Sequence, residues 1–328
     1  MRKALKVTVA VAFCAAVCLF SMAYTGVISR NTVRSLLPSA ALLPSVAAAE
    51  STSVNTIPVL LYHGIVSPHD KAENSVTLTA FRSQMRYLHA QGYQTISPEQ
   101  YVQWEEGKHP ELPLKPILIT FDCNQTSALL TQGVLQEYGF RPVMYIVSGF
   151  ADHAYGNYYM TWDGLRTLAN EGWYMQFHAG PCGHGYITVD TPFNCDYDDT
   201  FKFTEGAKIG HRYYSQTFGQ PAPVYHARVE RDVAIGMKEI SAFFHMPESQ
   251  LHETCAVPWS DYGQPETSNI PWLGKYFARE FSVVFIQDNY PSAAQARKLH
   301  LRYRFEVDHP TTMTQFTSAL QDPRFALG

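Results

Sequence analysis

The segment Pro116 to Asp122 (Pro-Ile-Leu-Ile-Thr-Phe-Asp) is an apolar run that starts at a proline and ends on an acid. A run this short reads as a buried strand, because a helix needs a longer stretch to bury a stripe. Comparable runs recur at Pro58 to His63, Val143 to Val147, Trp173 to Phe177 and Phe281 to Ile286, and Arg302 to Val307 reads as a further late strand. Amphipathic stretches separate them. Phe81, Met85 and Leu88 fall at helical spacing, so Thr79 to Gln91 reads as a helix with Thr79 as N-cap and Gly92 as its end. Ser97-Pro98 opens a second helix, with a cap followed by proline at the first position. Gly133 to Tyr138, Thr161 to Glu171 and Arg228 to Phe244 are further helices. The last carries Val229, Val233, Met237, Ile240 and Phe244 along one face. Strands alternating with helices specify parallel βαβ units, and about seven of them fit a barrel better than an open sheet. No Gly-x-Gly-x-x-Gly follows the first strand, which argues against a dinucleotide fold. Parallel α/β folds place their chemistry at the C-terminal strand ends, where Asp122 and His63 stand.

The net charge of -4 gives no basic footprint for nucleic acid. Residues 1–29 open with a basic hexapeptide and continue as an uncharged stretch from Val7 to Ser29, apolar at its centre. This is a signal peptide or a retained signal anchor. Ser21-Met22-Ala23 and Ala47-Ala48-Ala49 both offer small-residue cleavage sites. Either reading places the remainder outside the cytoplasm: periplasmic, secreted, or held at the outer face of the cytoplasmic membrane. Residues 30–56 are rich in Ser, Ala, Pro and Val without periodicity and read as a disordered linker. Residues 57–328 form the folded domain. Its four cysteines are Cys123, Cys182, Cys195 and Cys255.

Thr120-Phe121-Asp122-Cys123-Asn124 resembles the first motif of the polysaccharide deacetylases (NodB-homology family, carbohydrate esterase family 4), which runs Thr-Phe-Asp-Asp-Gly. The resemblance extends over the domain. Leu61-Tyr62-His63-Gly64-Ile65 is similar to the opening of many extracellular members, and Arg141 to Ile146 to a later strand. Trp162 to Leu165 with Asn170-Glu171-Gly172 resembles the lead-in to the family's histidines. Cys255 to Gly263 is similar to its third motif, and Leu301 to Val307 to its closing strand. The nearest subgroup is the exported biofilm-polysaccharide deacetylases.

The resemblance implies a distorted (β/α)7 barrel and a metal-dependent hydrolase that removes N-acetyl groups from a polysaccharide. Such a reaction needs an activated water, a stabilised oxyanion and a protonated leaving amine. Asp122 corresponds to the family's base; read alone, it is equally a strand-end acid that caps the next helix. His178 and His184 correspond to metal ligands, and Cys123 stands at the third ligand position. His63 is the candidate acid, and His309 a weaker one. Pro258 and Trp259 correspond to the groove wall, with the Trp259 backbone N–H aimed at the oxyanion.

Three readings of Cys123 stay open. A thiolate with two imidazoles suits zinc. Alternatively the site holds no metal, or Cys123 is half of a disulfide. Four cysteines allow three pairings, of which Cys182–Cys195 is the most local. The functional alternative is a catalytically inactive deacetylase-like protein acting in carbohydrate binding or polysaccharide assembly. The expected partner is a polysaccharide, with membrane anchoring through the N-terminal segment; the sequence names no protein partner.

Overall fold

The computed structural model describes residues 54–66, 74–153, 158–183, 186–187, 211–212, 214, 221–260, 270–287 and 291–326. The leader, most of the linker, His184 and Cys195 lie outside the described residues. No helix among the described residues is long and apolar enough to cross a membrane.

The barrel strands are β1 (Val59–Tyr62), β2 (Pro116–Asp122), β3 (Val143–Val147), β4 (Tyr174–Ala179), β5 (Thr254–Ala256), β6 (Val283–Ile286), β7 (Leu301–Tyr303) and β8 (Phe305–Glu306). They pair in the order β7-β6-β5-β4-β3-β2-β1-β8, every pair parallel. The two ends of this sheet, β7 and β8, are separated by Arg304 alone. The Arg304 N–H still donates to the Ile286 carbonyl at 2.9 Å, while Phe305 is already in register with Leu60. Residues 301–306 are therefore one broken strand that closes a seven-stranded barrel, as the alternating pattern predicts.

Side chains alternate across each strand. On β2, Ile117, Ile119 and Phe121 face the helices, whereas Leu118 belongs to the cluster that fills the barrel with Val59, Val143, Tyr145, Phe285 and Tyr303. Thr120 and Asp122 share the inward phase of Leu118. The strand expected to end at Phe177 runs on to Ala179, which brings His178 into the sheet on the inward phase.

Helices α1 (Leu78–Ala90), α2 (Pro98–Glu105), α3 (Gln132–Tyr138), α4 (Ser148–His153), α5 (Trp162–Asn170) and α6 (Ala222–Phe244) pack on the outside. Thr77, not Thr79, caps α1: its backbone is still extended and its hydroxyl accepts from Ala80 N at 3.2 Å. Ser97 and Gln100 form a reciprocal capping box on α2. α6 starts six residues before the expected Arg228, directly after Pro221. The late strand read from Phe281 begins only at Val283, because Phe281 still donates back to Phe277 at the end of the preceding helix.

At the N-terminal end of the strands a cavity of about 120 Å³ lies between Glu99, Tyr174, Gln176, Gln250 and Glu253, among others.

Candidate functional site

Asp122 is the last residue of β2 and is 2 % exposed. Arg304, fully buried at the seam, donates from Nη1 to Oδ1 at 2.7 Å and from Nη2 to Oδ2 at 2.6 Å. This bidentate fork is the strongest pairing available to a carboxylate. The guanidinium also reaches Thr120 Oγ1 (3.3 Å) and Gln287 Oε1 (3.4 Å), and it lies over the rings of Tyr145 and Phe285. His178, on β4, places Nδ1 2.6 Å from the Ala256 carbonyl oxygen, which accepts its proton. Its Nε2 is 4.0 Å from Asp122 Oδ2.

These contacts fix the charges. Burial would raise the Asp122 pKa, but the Arg304 charge and hydrogen bonds, aided by His178, win and hold it at about 2. Burial depresses the His178 pKa to about 4 against the pull of Asp122. Near neutral pH the site therefore contains a carboxylate, a guanidinium and a neutral imidazole whose Nε2 faces Asp122.

His63 follows β1, and its Nδ1 lies 3.1 Å from Glu306 Oε1 on β8. Leu61 and Glu306 are in register, so barrel closure is what brings this pair together.

After Asp122 the chain turns through two left-handed residues, Cys123 (φ 65°) and Asn124 (φ 37°). Asn tolerates this region; a Cys there carries strain. Asp122 caps no helix. The turn leads into a 3₁₀ segment, Thr126–Thr131, whose cap position is Gln125. The Asn124 side chain accepts from Val147 N (3.0 Å) and reaches the Met160 carbonyl (3.5 Å).

Cys123 packs in the apolar cluster between barrel and helices, along with Cys255. Both are buried thiols, which corrects the disulfide reading of Cys123. Burial, then the adjacent Asp122 charge, pushes the Cys123 pKa well up, so the thiol keeps its proton. Cys182 is disulfide-bonded, and its partner lies outside the described residues.

The loop after β4 is fastened to α6. Asp232 accepts from Cys182 N at 2.8 Å and from the Tyr214 hydroxyl at 2.7 Å. A Cβ on Gly180 would come within 2.0 Å of the Asp232 carbonyl oxygen, so only glycine lets the loop approach this closely. His184, the other expected ligand, lies outside the described residues. Pro258 and Trp259 follow β5 as a short 3₁₀ turn, with Trp259 (φ 61°) and Ser260 (φ 53°) left-handed. This turn starts two residues beyond the carbonyl that holds His178. His309 is exposed.

Asp122 and His178 thus meet in one buried cluster at the strand ends, with the His63–Glu306 pair at the neighbouring strand tips. Of the three expected ligands, Cys123 and His178 are described and His184 lies outside the described residues. The thiol sits in the apolar cluster with its proton retained, and no group of three or more His, Cys, Asp and Glu side chains among the described residues could hold a metal ion. Keeping its proton, Cys123 does not present the thiolate that zinc would need. Arg304, Glu306, Asn124 and Asp232 escaped the sequence reading. A charged residue alternating through a buried strand, as in Arg302 to Glu306, is the signal that points to the first two.

No family model matches the chain. The polysaccharide deacetylase-like protein YxkH of Bacillus subtilis is 28% identical over 125 residues, 38% of this chain and 42% of that protein's length. The match therefore spans less than half of that relative. Among solved structures, a de-N-acetylase from Aggregatibacter actinomycetemcomitans matches 81% of this chain and 100% of its own, with TM-score 0.61 and 16% identity. IcaB from Ammonifex degensii matches 82% of this chain and 98% of its own, with TM-score 0.57 and 17% identity. Strand order, closure and these likenesses agree: the chain has the (β/α) barrel fold of the polysaccharide deacetylases.

Proposed function

We propose that the protein is an exported, deacetylase-like carbohydrate-binding factor in polysaccharide assembly, which holds the polymer at the strand-end pocket without hydrolysing it. Cys123 carries this reading. Where the resemblance has a ligand carboxylate, this chain has a protonated thiol in an apolar cluster. Hydroxyl and N-acetyl groups of a sugar suit a pocket whose polar atoms are fixed in advance.

One observation favours a second reading, a metal-dependent N-deacetylase of the exported biofilm-polysaccharide subgroup. The His178 Nδ1–H donates to the Ala256 carbonyl oxygen, the way metal-binding histidines are oriented. In that reading Asp122 is the base and His63 the acid. Cys123, His178 and His184 would hold zinc, which would polarise the acetyl carbonyl and activate a water, and the Trp259 N–H beside Pro258 would face the oxyanion.

The deciding experiment uses purified full-length protein and N-acetylglucosamine pentamers in β-1,4 and β-1,6 linkage. Calorimetry reads binding, amine release reads hydrolysis, and elemental analysis reads metal. Binding without amine release and without stoichiometric metal is expected. Stoichiometric zinc together with amine release selects the second reading.

A further inference from the structure

We infer that Tyr158 is a sugar-stacking residue at the mouth of the strand-end pocket, taking the face of a pyranose ring of the bound polysaccharide. The inference rests on the carbohydrate-binding reading above and names a residue through which the site would grip its ligand.

Large apolar side chains left exposed among the described residues include Leu114, Leu130, Tyr158, Val224 and Met313. Tyr158 is the aromatic one, at 57 % exposed. Its position is fixed relative to Asp122. Residues 158–160 run antiparallel to residues 124–126, immediately after the left-handed turn at Cys123. Thr126 N donates to the Tyr158 carbonyl at 2.9 Å, and Met160 N to the Asn124 carbonyl at 2.8 Å. An isolated bridge pairs Gln125 with Tyr159. The Asn124 side chain adds a contact to Met160, so the residue that replaces the motif's glycine also helps hold this segment.

The ring itself is braced. Tyr158 meets Tyr159 edge-on, with centroids 4.8 Å apart at 89°. Tyr159 in turn stacks on the buried Phe150 at 3.9 Å. A rigid aromatic with an exposed ring loses little entropy on binding, and a pyranose offers an apolar C–H face that suits it.

The test compares full-length wild type with Tyr158→Ala, Tyr158→Phe and Tyr158→Trp, titrated with the two N-acetylglucosamine pentamers. Tyr158→Ala should weaken binding about tenfold, while the Phe and Trp substitutions stay within about twofold of wild type. The indole introduced by Tyr158→Trp should change its fluorescence on pentamer addition, relative to wild type, which reports contact independently of the alanine variant. Wild-type affinity in Tyr158→Ala, or no such fluorescence change in a Tyr158→Trp protein that binds, overturns the inference and leaves the binding reading standing. Absence of binding by wild type overturns both.

Discussion

Arg304 and Asp122 meet as a buried bidentate pair at the point where the barrel closes, with N–O distances of 2.7 and 2.6 Å. The pair is structural as much as chemical, since it ties the tip of β2 to the break between β7 and β8. Arg304→Met strands a buried carboxylate and should cost about 3–5 kcal/mol, read as a lower urea midpoint. Arg304→Met with Asp122→Asn should recover part of that loss. The Asp122 pKa falls from an ordinary 3.8 to about 2 in the folded protein. Its contribution is therefore complete above about pH 4 and is lost as pH falls toward 2. The arginine variant should flatten that acid limb.

Cys123→Asp puts a second carboxylate beside Asp122, within an apolar cluster. Without a new cation the expected loss is about 3 kcal/mol or more. Wild type should show no zinc-dependent change in thermal midpoint. A midpoint that rises with zinc in the variant alone would mark a metal centre lost through this one residue.

The two buried thiols should be chemically silent. Burial raises the pKa of both Cys123 and Cys255, so little thiolate forms near neutral pH. Mass spectrometry after iodoacetamide treatment should find neither labelled in native protein and both labelled in urea. Cys182 should label only after reduction as well, because it is in a disulfide. Rapid native labelling of Cys123 would refute its burial.

Glu253 gives the opposite pH dependence to Asp122. Burial and then the Glu99 charge raise its pKa from 4.5 to about 7, opposed by the Gln176 hydrogen bond. The folded state thus binds more protons than the unfolded state between about pH 4.5 and 7. Stability from this group is highest below 4.5 and declines as pH rises through 7. Glu253→Gln should therefore gain over wild type in thermal midpoint, more at pH 8 than at pH 5. An equal difference at both values would contradict the shift.

The barrel was readable because each strand buries a short apolar run and each helix repeats at its own period. Val143–Val147 needed no correction. Ends were harder where two residues compete for one role, as Thr77 and Thr79 do at the cap of α1. At the site, Asp122 and His63 were legible as strand-end groups, and His178 through the family resemblance, as a loop ligand beyond a strand that in fact includes it. Their partners were not, because Arg304 and Glu306 reach them only through closure of the sheet. The state of Cys123 was hidden for a different reason. Its surroundings follow from a left-handed turn, and no property of the residue itself announces one.

Closure through residues 301–306 also has a consequence for the order of synthesis. Until that late segment arrives, β1 and β6 each present an unpaired edge, and Asp122 has no guanidinium to answer it. The pocket therefore matures last, after nearly the whole chain has emerged. Such non-local pairing is slow to form, so the Asp122–Arg304 pair is among the last native contacts to be made.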